Sequence, residues 1–285
     1  MTAAPPLHSG DLASGKGHHD ENFPVASWLL KREHRPPVLA FYRFARAADD
    51  IADNADAAAA EKLRLLDAMR RGLDGAGDGA AEALALHAVL VERGLSDVHA
   101  RELLDAFTRD VTVDRYPDWD ALIGYCRLSA MPVGRFVLDV HGEDAARTWP
   151  ASDALCAALQ IVNHLQDCGK DWRGLGRVYL PLDMIAAAGA RVEDLGGARA
   201  TPALLDAIRA AARRTQVLLH RSAPFASLIR DRRLAAEVAV IQRLAEDLCR
   251  RLLSRDPLSE RVHHRPAEAL RLAAGPALRQ LVGAR

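Results

Sequence analysis

The chain has 285 residues, 49% of them hydrophobic, with 38 Lys+Arg against 38 Asp+Glu. That length fills one large domain or two small ones, and the charge balance leaves no basic surplus of the kind nucleic-acid binding requires. Cys126, Cys156, Cys168 and Cys249 show neither zinc spacing nor a secreted disulfide pattern, which points to a reducing cytosol. No unbroken run of 18 apolar residues argues for a transmembrane helix, and the N-terminus lacks a signal-peptide core, so the expected location is cytoplasmic with any membrane contact peripheral.

Residues 1–21 are rich in Pro, Gly, Ser and His without apolar period and read as a flexible tail. The folded part is expected over 22–285. Asn22 suits a helix cap and Pro24 its first turn, ahead of a stripe of Val25, Trp28 and Leu29. Arg35-Pro36-Pro37 breaks that helix and opens the next, which runs through FYRFARAADDIAD at Phe41–Asp53. There Asp49 and Asp53 fall one turn apart with Asp50 beside them. Arg46 precedes Asp49 by three residues, and Tyr42 lies one turn before Arg46. Two readings stand for Arg46: a ligand for an anion, or a partner for Asp49 or Asp50 on its own helix.

Glu61–Gly72, Ala81–Arg93 and Asp97–Asp110 read as three further helices punctuated by glycines. Leu84, His87, Ala88 and Val91 recur at helical spacing, and His87 on that face reads as a core histidine. Asp118–Tyr125 opens another helix, which Ser129–Gly134 breaks or kinks. Pro132 removes a backbone donor, and Gly134 permits a close approach. Tyr125 is either a pocket residue or core. Gly142 and Trp149-Pro150 mark a loop before the next helix.

That helix carries QIVNHLQDCGKDWRGLGRVYLP at Gln160–Pro181. Gln160, Asn163, Asp167 and Asp171 follow steps of three, four and four, so they point one way. Ala157, Leu159, Ile161, Val162 and Leu165 flank them, which turns the polar stripe inward. Two carboxylates there cost several kcal/mol unless a cation offsets them. Hard oxygen ligands one turn apart suit Mg²⁺ with substrate phosphates; the competing reading is a solvated acidic face. Two such pairs on two helices would face each other across a bundle cavity and hold Mg²⁺ ions around a diphosphate.

Trp172–Gly176 reads as a loop and Val178–Leu182 as short extended chain. Helices follow at Thr201–Ser222, Pro224–Ile229, Arg232–Leu253 and Pro266–Leu281. Leu234, Val238, Ile241, Ala245, Leu248 and Leu252 form an interior stripe. Glu260–Arg285 is arginine-rich and has two readings, a solvated basic face or contact with an anionic membrane surface. No strand alternation or linker recurs, so the expected fold is all-α: a single-domain helical bundle with a central cavity.

The DDxxD of Asp49–Asp53 with its upstream Arg46 resembles the first acidic motif of the squalene/phytoene synthase family. The NxxxDxxxD of Asn163–Asp171, followed by Arg177, Tyr179, Leu180 and Pro181, resembles the second, and YCRLSAMPVG at Tyr125–Gly134 resembles the helix between them. Three motifs in the right order over Asn22 to Arg251 make the likeness specific. It implies an isoprenoid-synthase fold, Mg²⁺ and a prenyl diphosphate substrate. The implied metal ligands are Asp49, Asp50, Asp53, Asn163, Asp167 and Asp171. The candidate catalytic residues are Tyr42, Arg46, Tyr125, Gln160, Asn163, Arg177 and Tyr179, with Asn22, Arg46, Gln166, Lys170 and Arg177 as candidates for binding substrate.

Departures narrow the branch. Most catalytic members have arginine where this chain has Gln166, many have Glu where it has Lys170, and the loop from Asp171 to Tyr179 is one residue longer than the family pattern; separately, Asn22-Phe23 stands where the family often has a Ser-Phe pair at the diphosphate site. Gln166, the QDCGKDW…RVYLP wording and ENFPV at Glu21–Val25 are similar to the hydroxysqualene synthase branch of bacterial hopanoid biosynthesis. That branch implies ionisation of presqualene diphosphate and capture by water, held by a polar residue such as Gln160 or Asn163. The alternatives are a squalene or phytoene synthase joining two prenyl diphosphates, and a non-catalytic scaffold relative, which would be expected to lose some of these acids. No GxGxxG fingerprint supports NADPH use.

Overall fold

Prolines and short polar caps set where the helices begin. Pro36 and Pro37 lie at the start of α1 (Arg35–Asp53), where a missing N–H leaves no bond unmade. Asp118, Asp144, Thr201 and Asp231 each accept hydrogen bonds from the first turn of the helix that follows, satisfying donors with no intrahelical partner. The computed structural model describes residues 31–282. The tail expected over 1–21, the helix start at Asn22 and the candidate role of Asn22 lie outside the described residues. Among the described residues no strand forms. An isolated parallel bridge joins Arg115 and Val178, and Val178 and Leu182 donate to the carbonyls of Asp114 and Tyr116, so 178–181 is non-helical chain as expected, while Leu182 already opens a helix.

The described chain forms two compact units. Residues 32–113 hold α1, α2 (Ala59–Leu73), α3 (Ala81–Arg93) and α4 (Val98–Asp110). On α1 the residues Val38, Phe41, Phe44, Ala48, Ile51 and Ala52 are buried, a helical stripe that packs on α3 and α4. His87 hydrogen-bonds through Nδ1 to the Leu73 carbonyl at 2.8 Å, so it is satisfied as expected but half-buried rather than core. The stripe expected beside it is rotated. Ala83, Leu86 and Leu90 are buried, whereas Val91 is 68% exposed. Apolar residues line both faces of α3, so periodicity alone does not select one.

Residues 114–282 hold α5 (Trp119–Ser129), α6 (Met131–Val140), α7 (Ala145–Leu175), α8 (Leu182–Ala187), α9 (Pro202–Ser222), α10 (Phe225–Leu228), α11 (Arg232–Ser254) and α12 (Pro266–Val282). At 31 residues, α7 is roughly 46 Å long, and α5, α6, α9, α10 and α11 all pack on it. The stripe on α11 is buried at Leu234, Val238, Ala245, Leu248 and Leu252, with Ile241 half-buried.

The expected break falls at Ala130, between α5 and α6. Pro132 then lies in the first turn of α6, and Gly134 faces Ser152 and Cys156 of α7 at close range. Trp119–Val140 as a whole has the length and hydropathy of a membrane span. It is interrupted at Ala130, and much of its apolar surface is buried in the protein.

Two expected loops are helix instead. Trp149-Pro150 lies inside α7, which starts at Ala145. The Asp144 cap, the Thr148 hydroxyl bonded to the Asp144 carbonyl at 2.7 Å, and the Trp149 ring under the Arg135 guanidinium secure that end. These local anchors offset the hydrogen bond that Pro150 cannot make. At the other end Trp172–Leu175 continue the helix, and Gly176 ends it with φ 66°. A left-handed cap of this kind is what glycine supplies at low cost. Neither α8 nor the 3-10 turn Val192–Gly196 was expected.

Candidate active site

In the first unit, Tyr42, Arg46, Asp49, Asp50 and Asp53 lie along α1, all half-buried. They descend one side of the helix because three- and four-residue steps keep a common face, while Phe44, Ala48 and Ile51 anchor the other side in the core. The Arg46 guanidinium reaches Asp50 at 2.7 Å and Asp49 at 3.1 Å. The pairing on its own helix is therefore formed. The Asp50 side chain is 9% exposed and that of Asp49 35%, so the pair nearer the core is the better shielded. Below them the Lys62 ammonium donates to the Ala52 carbonyl at 3.1 Å and secures the end of α1.

In the second unit, Gln160, Asn163, Asp167 and Asp171 are all half-buried on α7, flanked by buried Ala157, Ile161, Val162 and Leu165. Gln166 is buried at 5% and Lys170 is exposed. Arg177, just past the Gly176 cap, is 7% exposed. Tyr179 comes next on the non-helical stretch and is stacked face to face on the His164 ring, centroids 3.5 Å apart and planes 11° from parallel. Tyr125 and Tyr116 complete the cluster, 5.7 and 5.6 Å from Tyr179. Tyr125 is buried within this aromatic group, which fits the core reading.

Three members of this neighbourhood were not singled out from the sequence. His164 lies one turn after Gln160 in the same polar stripe, a signal that was available. Its ring nitrogen Nε2 is 3.0 Å from the Gln160 amide nitrogen. Burial, aided by the Arg177 charge, pushes its pKa down to about 3, so the imidazole is neutral. Tyr116 carried no local signal. His263 comes from far along the chain, and its Nε2 lies 3.8 Å from an Asp167 carboxylate oxygen.

His263 reaches Asp167 because the segment after α11 is strapped down. Asp256 accepts from the backbone of Ala200 and Leu258. His264 pairs with Asp247 at 3.0 Å, as does Arg251 at 2.8 Å. Here the basic stretch expected to be a solvated face is partly tied into the fold.

Chemically, the two acidic sets offer carboxylate and amide oxygens, the donor class that hard divalent cations take. The thiols are not part of that chemistry. Burial pushes Cys126, Cys168 and Cys249 up to about 12 and Cys156 up to about 11, so none offers a thiolate near neutral pH.

Residues 16–268 match the profile of the squalene/phytoene synthase family. Hydroxysqualene synthase of Zymomonas mobilis subsp. mobilis is 54% identical over 94% of this chain and 90% of its own length. That of Rhodopseudomonas palustris is 56% identical over 91% of this chain and 89% of its own. The crystal structure of squalene synthase HpnC from Alicyclobacillus acidocaldarius superposes with a TM-score of 0.71 at 32% identity, covering 85% of this chain and 90% of that one. Helices without strands among the described residues, two acid-bearing helices with the family's spacing, and a profile match across most of the chain agree: the chain belongs to the squalene/phytoene synthase family.

Proposed function

We propose that this protein is a Mg²⁺-dependent enzyme that converts presqualene diphosphate and water into hydroxysqualene and pyrophosphate. The likeness to two hydroxysqualene synthases, above half identity over roughly nine-tenths of both chains, carries the reading. The intact acids and the half-buried polar stripe on α7 support it. Asp49, Asp50 and Asp53 on α1, and likewise Asn163, Asp167 and Asp171 on α7, are each the set that would offer ligands to Mg²⁺, which when bound neutralises charge on a departing diphosphate.

The remaining roles fall to the chain itself. Arg46 and Arg177 present guanidinium forks that match phosphate oxygens. Arg177 is buried, where its charge acts through a lower dielectric than in water. Tyr125 and Tyr179, packed with Tyr116 and His164, would wall off water from positive charge developing on carbon. Protonated thiols leave no sulfur anion to trap that charge. The diphosphate departs with the electrons of the carbon–oxygen bond, the cyclopropylcarbinyl cation opens, and the oxygen of water forms the new bond, with one proton lost. Water must be admitted at one place only, since a wet cavity would quench the cation early.

The test is purified protein with presqualene diphosphate, and separately with farnesyl diphosphate, each with and without NADPH and with Mg²⁺ or a chelator. Hydroxysqualene from presqualene diphosphate, dependent on Mg²⁺ and indifferent to NADPH, is the expected result. Efficient condensation of two farnesyl diphosphates, or squalene formed only with NADPH, would refute it.

A further inference from the structure

We propose that His164, paired with Gln160, holds the water that captures the carbocation and so determines where the hydroxyl group is placed. The inference rests on the hydration reaction just proposed and assigns a residue to its last step.

Three observations converge on this pair. The His164 ring is fixed in orientation, stacked on Tyr179 at 3.5 Å and bonded to Gln160 at 3.0 Å. Its other nitrogen, Nδ1, takes no hydrogen bond among the described residues. His164 and Gln160 are both half-buried as residues, so neither is sealed within the core. A polar group that is rigidly held, half-buried and short of a partner is a place for a small polar molecule.

The hydrogen-bond inventory decides what that molecule meets. A neutral imidazole has one N–H and one lone pair. If the Gln160 amide donates to Nε2, then Nδ1 carries the proton and the Gln160 carbonyl oxygen is left as an acceptor. If the amide is turned, its oxygen accepts from Nε2–H and Nδ1 becomes the acceptor. Either arrangement leaves a neutral acceptor on the pair, the Gln160 carbonyl oxygen or Nδ1, beside two N–H donors.

A water that attacks a cation must aim a lone pair at carbon, so its hydrogens must be held by acceptors. A neutral acceptor holds them without drawing the cation onto itself as a carboxylate would. The new carbon–oxygen bond forms from the water lone pair, and the resulting oxonium loses one proton to the released pyrophosphate. His164 orients the water and undergoes no net change.

The readout is hydroxysqualene formed per pyrophosphate released from presqualene diphosphate, with all other products identified. Misplaced water would give isomeric alcohols, and absent water would give polyenes by proton loss. His164→Phe keeps an aromatic ring for the Tyr179 stack and removes both nitrogens; the ratio should fall at least fivefold. Gln160→Leu, which leaves the stack alone, should do the same and serves in place of His164→Phe if that variant does not fold. His164→Gln restores donor and acceptor and should recover at least half of the wild-type ratio. A wild-type ratio in His164→Phe or in Gln160→Leu, or an equal drop in His164→Gln, would overturn the inference. Wild-type protein that makes no hydroxysqualene would overturn the proposed reaction itself, a result distinguishable from an unchanged ratio in the variants.

Discussion

Gly134→Ala should separate α6 from α7 and lower stability by a measurable amount. A Cβ at Gly134 would stand 2.5 Å from the Ser152 Oγ and 2.6 Å from the Cys156 Sγ. Both are about 1 Å short of the roughly 3.5 Å separation at which heavy atoms attract best. The backbone there is helical, so alanine brings no dihedral strain and itself favours helix; the clash is the whole adverse effect. Ser152 is fully buried and cannot swing into water, and Cys156 is half-buried beside it. Overpacking of this kind costs about 1–3 kcal/mol. At about 2–4 °C per kcal/mol for a domain of this size, the unfolding midpoint should drop on the order of 2–12 °C.

The assay is thermal unfolding followed by circular dichroism, repeated in urea, for Gly134→Ala, for Ser152→Ala/Cys156→Ala, and for all three changes together. Removing the Oγ and Sγ opens the space, so the triple variant should regain at least half of the loss. The coupling between the sites should then be about 1 kcal/mol or more, within the range for residues in contact. A Gly134→Ala midpoint at or above wild type, or a triple variant in which the losses simply add, would refute the reasoning.

Asp49→Asn and Asp167→Asn should each lower pyrophosphate release from presqualene diphosphate at least a hundredfold, about 2.8 kcal/mol of barrier; near-normal turnover with unchanged Mg²⁺ dependence in both would remove the metal role. Arg46→Ala deletes the bonds to Asp49 and Asp50 and should cost about 1–3 kcal/mol in urea denaturation, whereas Arg46→Lys keeps the charge without the fork. If both variants bind pyrophosphate as wild type does, by calorimetry with Mg²⁺, Arg46 serves only its own helix. For His164, burial holds the folded pKa at about 3 against an unfolded value of 6.5. The unfolded chain therefore binds the extra proton between those limits, and the stabilising contribution is complete above pH 6.5 and lost as pH falls towards 3, with a slope of at most roughly 1.4 kcal/mol per pH unit. His164→Gln should flatten that stretch of the stability–pH curve, and an unchanged slope would contradict the burial of the ring. At Asp247, burial works against ionisation but the bonds to His264 and Arg251 prevail and hold its pKa below 3.8. Its contribution is present above that value and is lost below it, so Asp247→Asn should flatten only the limb below about pH 3.8.

How much of this was legible in the sequence depended on distance along the chain. On α1 the prolines that open it and the Arg46 pairing with the acids one turn away were readable, whereas its buried stripe of Val38, Phe41, Phe44, Ala48 and Ile51 was not singled out. The same rule of three- and four-residue steps found Gln160, Asn163, Asp167 and Asp171, and the half-buried setting of all four on α7 agrees. It should also have found His164, which shares that stripe. The break at Ala130 and the close approach at Gly134 were readable because proline and glycine have few conformational uses.

The misses share a different cause. Pro150 and Gly174 look like breaks when a window of ten residues is read alone, yet α7 runs through both. What holds the helix there is packing by α5, α6, α9 and α11 along its length, and tertiary contact outweighs local preference by design of the energies: a proline costs about 3 kcal/mol in a helix interior, while one buried leucine is worth about 1.5–3. Leu155, Ile161, Val162 and Leu165 are all buried within this one helix, so a single penalty cannot stop it. The Tyr116–Tyr125–Tyr179–His164 cluster and the approach of His263 to Asp167 depend on the same long-range packing. Each joins residues that no helical period connects. Local rules located the charges, and the packing around α7 decided which neutral groups stand beside them; a water-holding pair such as His164 and Gln160 can only be recognised once both are in place.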